Sequence, residues 1–127
     1  MFSHLTIGAN DVAAARTFYD AIFTAIGGAA GDAAPDGSRV RYAHDGGTLI
    51  VLRPINGEPA TFGNGSTIGI KVSSPELVDA WHAAGVANGG TACENPPGER
   101  VGGFGRLYLA YLRDPQGNKL CAVYPLG

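Results

Sequence analysis

Cysteine is nearly absent from this chain. Cys93 and Cys121 are the only two in 127 residues. That is too few for a disulfide scaffold, so reduced thiols in a cytoplasm are the default expectation. An excess of one charge is also missing: nine Lys and Arg against eleven Asp and Glu leave a formal charge of −2. No basic block or stripe occurs, which removes the electrostatic footprint of a nucleic-acid binder. No apolar run approaches the ~20 residues that cross a bilayer, so no membrane partner is expected. Met1-Phe2-Ser3-His4 has no basic flank followed by an apolar run, so no signal peptide is expected. Gly-x-Ser-x-Gly, Cys-x-x-Cys and His-Glu-x-x-His patterns do not occur. Gly102-Gly103-Phe104-Gly105 leads into no helix start, so it is a flexible loop rather than a phosphate cradle.

What is present is a core-forming composition. Hydrophobic residues make up 45% and charged residues 16%, which fits one folded domain over 1–127 rather than disorder. Phe2 to Ala9 reads as a strand. Asn10 or Asp11 can cap a helix running to about Ile26, because Val12, Ala15, Phe18, Tyr19, Ile22 and Phe23 recur at helical spacing. A poorly defined strand follows near Ala29, then a turn at Pro35-Asp36-Gly37. Arg39 to His44 and Thr48 to Pro54 read as strands around a turn at Gly46-Gly47.

Asn56 to Ser66, with Gly57, Pro59, Gly63, Asn64 and Gly65, is the one convincing linker, and after it the order begins again. Thr67 to Ser73 reads as a strand. Ser74-Pro75-Glu76 opens a second helix that buries Leu77, Val78, Ala80, Trp81 and Ala84 and ends at Gly85. Thr91 to Glu94, Arg106 to Leu112 and Asn118 to Tyr124 complete three more strands, with a loop bracketed by Pro96-Pro97-Gly98 and Gly102-Gly103. The fold class is therefore α+β: two βαβββ modules, 1–55 and 67–127, joined by the linker 56–66. They form a cupped mixed sheet with both helices on its convex face. The halves share Thr6-Ile7-Gly8 and Thr67-Ile68-Gly69, but the repeated element order is the stronger sign of duplication. An unrelated α+β sandwich, including a ferredoxin-like one, is the alternative from the residues alone.

Asp114-Pro115-Gln116-Gly117-Asn118 reads as a tight hairpin, with Pro presetting φ and Gly taking positive φ. It resembles the Asp-Pro-x-Gly-Asn hairpin that closes domains of the vicinal oxygen chelate superfamily, which includes glyoxalase I, bleomycin-resistance proteins and extradiol dioxygenases. His4-Leu5-Thr6-Ile7-Gly8 through Asn10-Asp11, then Phe18-Tyr19, is similar to that family's first strand and helix. The resemblance covers nearly the whole chain and implies a divalent metal held by His, Glu or Gln on the concave face. It also implies a homodimer. His4 matches the first ligand position. Thr67, Cys121 and Val51 stand at the other three. Val cannot coordinate and Thr is a poor neutral ligand, so His4 and Cys121 are the only plausible metal candidates, and no resident metal cofactor is expected.

Alternation along strands assigns the remaining candidates. Thr6 and Gly8 follow His4 onto the concavity, Gly69 and Lys71 follow Thr67, Lys119 and Val123 follow Cys121, and Leu49 and Arg53 follow Val51. The alternate set, including Ile7, Ile68, Ile70, Ile50, Leu52 and Leu120, belongs under the helices. His4 is then the candidate catalytic group, and Thr6, Arg53, Thr67, Lys71, Lys119 and Cys121 are the candidate substrate-binding groups. The cations Arg53, Lys71 and Lys119 suit a compact anionic small molecule such as a carboxylate or phosphonate. Three functions compete: a metal-dependent lyase or dioxygenase of the glyoxalase type, a metal-free sequestering protein of the bleomycin-resistance type, and a metal-free enzyme using His4 as acid or base. His4, Thr67 and Cys121 are expected to converge on one cavity.

Overall fold

The computed structural model describes residues 1–127. In chain order its elements are β1 (Leu5–Gly8), α1 (Val12–Ala25), β2 (Asp32–Ala33), β3 (Arg39–His44), β4 (Gly47–Leu52), β5 (Ile68–Lys71), α2 (Pro75–Ala87), β6 (Thr91–Gly102), β7 (Gly105–Arg113) and β8 (Lys119–Pro125). The strand–helix–three-strand order is thus written twice. Each module is a four-stranded mixed sheet, β1-β4-β3-β2 and β5-β8-β7-β6. The first strand of each pairs in parallel with the last, and the other pairs are antiparallel. No ladder joins β1 to β5, so the sheets lie side by side and the seam between them stays open.

Local chemistry explains the helices. Asp11 caps α1 by accepting the Ala14 N–H at 2.9 Å, and Ser74 caps α2 by accepting from Leu77. The six apolar residues spaced along α1 are all buried, and they meet Val78, Trp81 and Gly85 of α2 in one core over the convex face of both sheets. Burying each large side chain contributes ~1.5–3 kcal/mol. Gly85 does not end α2. It lies inside the helix, where an added Cβ would sit 2.3 Å from Leu112 Cδ1 and 3.1 Å from the Phe18 ring. The glycine is there for close helix approach, and the stop comes at Asn88-Gly89, with Gly89 at φ +97°. Ala80 is exposed rather than buried.

Two strand boundaries differ from expectation. The second strand is only Asp32–Ala33. The segment expected as a loop after Pro96 belongs to β6, which pairs with β7 up to Gly102, across a register shift between Cys93 and Gly98. The two prolines lie in that bulge, where no ladder N–H is required.

Candidate functional site

Register decides which side chains share a face. Across module one runs the row Thr6, Ile50, Arg41, Asp32. Leu49 and Val51, expected on this concave face, are instead buried in the helix-side core with Val40 and Tyr42. The β3–β4 turn is the two-residue Asp45-Gly46, both at positive φ. The β7–β8 turn is longer, closed by Asn118 O accepting the Asp114 N–H. Counting four residues past a turn glycine therefore does not give equivalent positions in the two modules, and a one-residue offset reverses every side chain. Arg53 consequently departs from the concave set. It lies beyond β4, with its N–H bonded to Ser38 O, and its charge helps hold the Asp36 carboxyl below its ordinary pKa, after the hydrogen bonds from Ser38.

Module two keeps the expected alternation. Its concave row is Gly69, Cys121, Tyr111, Cys93. Cys121 and Leu109 are buried yet stand outside the helix-side core, so this half of the cup is filled by its own side chains. Lys119 pairs with Glu94 and lies 4.8 Å over the Tyr111 ring. The Glu94 hydrogen bond raises the Lys119 pKa, so its charge is already engaged. Burial pushes the Cys121 thiol up to about 11, against weaker opposing help from Tyr111 and Lys119. At neutral pH Cys121 is a protonated packing group, not a nucleophile.

The candidate residues are spread over separate cavities, and Thr6 also lines a third, of about 440 Å³, against Pro54, Asn56 and Glu58 of the linker side. A groove of about 400 Å³ at one end of the seam is lined by His4 and Lys71, together with Ser3, His44, Asp45, Thr48 and the apolar Phe23, Tyr42, Leu49, Ile68 and Ile70. Its floor is the exposed end of the helix-side core. The His4 ring is bonded through Nδ1 to Ser3 Oγ at 2.7 Å, which leaves Nε2 for a ligand. Lys71 belongs to none of the three ion pairs. A second cavity, about 220 Å³, joins Thr6 and Gly8 to Thr61, Ser66, Asn118 and Lys119. Arg53, Thr67 and Cys121 line none of the three. The aromatic floor of the groove and the Arg41 row were missed in the sequence. The alternation of Val40 and Tyr42 with Arg39 and Arg41 was the available signal.

The hairpin motif has a structural duty. Asp114 is buried and accepts four hydrogen bonds: Tyr19 OH (2.6 Å) and Asn118 Nδ2 (2.9 Å) on Oδ2, and the N–H groups of Gln116 and Asn118 on Oδ1. Asn118 Nδ2 also donates to Gly8 O. Gln116 accepts from Asn10 N–H and donates to Ala60 O, while Ala60 N–H donates back to Asn10 Oδ1. The hairpin thereby ties module two to β1, α1 and the linker.

The donor set does not fit a divalent metal. The concave rows offer Thr6, Ile50 and Arg41 on one side and Gly69, Cys121 and Tyr111 on the other, and nowhere do three His, Cys, Asp or Glu side chains gather. A divalent ion there would lack both charge compensation and ligand number. No helix is long and apolar enough to cross a membrane.

Two strand–helix–three-strand modules packed about a shared helix layer, with ligand-sized cavities at their seam, define an α+β protein of the paired-module, cupped-sheet class. The chain belongs to the Glyoxalase/Bleomycin resistance protein/Dioxygenase superfamily, whose profile matches residues 1–122. It is similar to a glyoxalase/bleomycin resistance protein from Albidiferax ferrireducens T118, with 54% identity and a TM-score of 0.94, over 98% of this chain and 99% of that one. A glyoxalase-related enzyme from Fulvimarina pelagi (20% identity, TM-score 0.71, 98% and 91% covered) shares the fold. So does a lactoylglutathione lyase from Agrobacterium tumefaciens (20% identity, TM-score 0.67, 97% and 92% covered). No protein of curated function matches the chain.

Proposed function

We propose that this protein binds a small anionic molecule at the module seam without a resident metal, as a ligand-holding member of its superfamily. The observation that carries the reading is the groove that brings the unpaired Lys71 ammonium and the His4 imidazole together over an apolar floor. An ammonium free of any carboxylate partner favours an anion, and an apolar wall around it strengthens that attraction relative to open water. His4 is the group placed to orient the ligand by hydrogen bonding, or to move a proton to or from it if the bound molecule reacts. Its partner Ser3 holds the ring by one nitrogen. Thr6 and the hydroxyls of the second cavity add polar contacts further along the seam.

The test combines elemental analysis of the purified protein with ligand-induced melting shifts across a set of carboxylates and phosphonates. Expected are no stoichiometric metal, none retained after incubation with Zn²⁺ or Ni²⁺, and melting shifts that His4→Ala and Lys71→Ala reduce while the unliganded melting temperature is unchanged. A transition metal coordinated by His4 with Cys121 would overturn the reading and restore a metal-dependent lyase or dioxygenase of the glyoxalase type. We further place the protein in a reducing cytoplasm as a homodimer. Two free thiols suit that compartment. Edge strand β6, with Val101 and Phe104 80% and 93% exposed at its hairpin, suits burial against a second copy. Light scattering at micromolar concentration should return twice 13.0 kDa; a clean monomer mass would contradict the dimer.

A further inference from the structure

We propose that the groove selects amphipathic monocarboxylates, with the carboxylate at Lys71 and an apolar body inserted between the two sheets. This rests on the reading of the His4–Lys71 groove as the binding site and adds the chemical class it takes. The volume of about 400 Å³ lies within the range of small-molecule pockets. Its aromatic wall is formed by Phe23 and Tyr42, stacked at 4.9 Å with an interplanar angle of 16°. The Tyr42 hydroxyl is committed to Asp20 Oδ1 at 2.6 Å and to Arg16 O. It therefore has no donor to spare, and the ring adds only apolar surface. Leu49, Ile68 and Ile70 complete the floor without a polar side chain.

Charge in the groove is asymmetric in a useful way. Among the side chains that line it, Lys71 carries the one ammonium and Asp45 the one carboxylate. A ligand with a single negative charge can meet Lys71 and leave Asp45 in water. A second negative charge on the same ligand would have to approach Asp45 or lie against the apolar floor, and both are unfavourable. Dicarboxylates and phosphate are disfavoured for that reason. Apolar length is rewarded, because each fully buried methylene strengthens binding about fourfold.

The experiment is calorimetric titration of the full chain with acetate, butyrate, hexanoate, adipate, hexan-1-ol and inorganic phosphate. Affinity should rise from acetate to hexanoate by at least tenfold. Adipate, hexan-1-ol and phosphate should each bind at least tenfold more weakly than hexanoate. Lys71→Gln should abolish the advantage of hexanoate over hexan-1-ol. Ile70→Thr, at a half-buried position that keeps a β-branched residue in the strand, should weaken hexanoate several-fold and leave acetate unchanged; Ile68→Thr is the second floor variant. If acetate and phosphate bind as well as hexanoate and Lys71→Gln weakens them all, the anion reading stands and the amphipathic class is overturned. If hexanoate binds equally well to the parent chain and to the Lys71 and floor variants, the ligand sits elsewhere and the inference fails. If none of the six binds, both readings fail together.

Discussion

Asp114→Ala is the substitution whose consequence follows most directly from the hydrogen bonds of the hairpin. The carboxylate is 3% exposed and receives four hydrogen bonds. When it is removed, the Gln116 N–H can turn to water, since that residue is only half-buried. The Tyr19 hydroxyl is fully buried and cannot. The Asn118 side-chain amide is left with Gly8 O alone. The Asn118 backbone N–H, also buried, loses its acceptor as well. Stranding a buried polar group costs about 1–3 kcal/mol, and three such groups, partly relieved as the turn relaxes, give about 3–5 kcal/mol. That is a large part of the 5–15 kcal/mol by which domains are usually stable. Tyr19→Phe should cost less, about 1–2 kcal/mol, because the carboxylate keeps three donors. The double variant should lie about 1–2 kcal/mol below the sum of the two single costs, since Phe removes the very donor that Ala strands. Urea unfolding followed by fluorescence of the single, fully buried Trp81 measures all three. A cost for Asp114→Ala below about 1 kcal/mol, or strictly additive effects, would refute the claim that this hairpin holds the modules together.

Gly85→Ala should destabilise by about 1–3 kcal/mol in the same assay, since crowding against Leu112, Phe18 and Ile22 outweighs the ~1 kcal/mol gain in helix propensity; a more stable variant would show that α2 has room to shift. In native protein at pH 8, a thiol reagent should label Cys93 and leave Cys121 untouched until urea is added, because the Cys121 thiol is buried and titrates near 11. The raised Cys121 pKa also makes stability fall as pH rises from its unfolded value of 9.0 toward 11, and Cys121→Ala should flatten that limb of a melting curve taken against pH. Burial lowers the His82 pKa from 6.5, against a smaller opposing effect from Asp79, so the unfolded chain binds the proton first and stability falls as pH drops below about 6.5. His82→Gln should reduce that loss, and an unchanged pH profile would show that the imidazole titrates alike in both states.

Much of this protein was legible in its residues because the information is local. The stripe of Val12, Ala15, Phe18, Tyr19, Ile22 and Phe23 implies a helix face wherever it occurs, and the structure buries all six. Ser74-Pro75-Glu76 starts a helix through its own capping chemistry. Asp114-Pro115-Gln116-Gly117-Asn118 turns the chain by its own backbone preferences, with Gly117 at φ +100°. From such pieces the duplicated module order follows. What only tertiary structure decided is set by pairing between distant segments. Ile50 rather than Val51 shares a face with Thr6 because the parallel pairing of β1 with β4 sets Thr6 opposite Ile50 and Ile7 opposite Val51. Lys119 is committed because the β6 bulge brings Glu94 to it. His4 meets Phe23 and Tyr42 because β1 and β5 do not pair, which leaves the core open at one end of the seam. Alternation along a strand fixes which residues travel together, but which face they join depends on partners that lie tens of residues away.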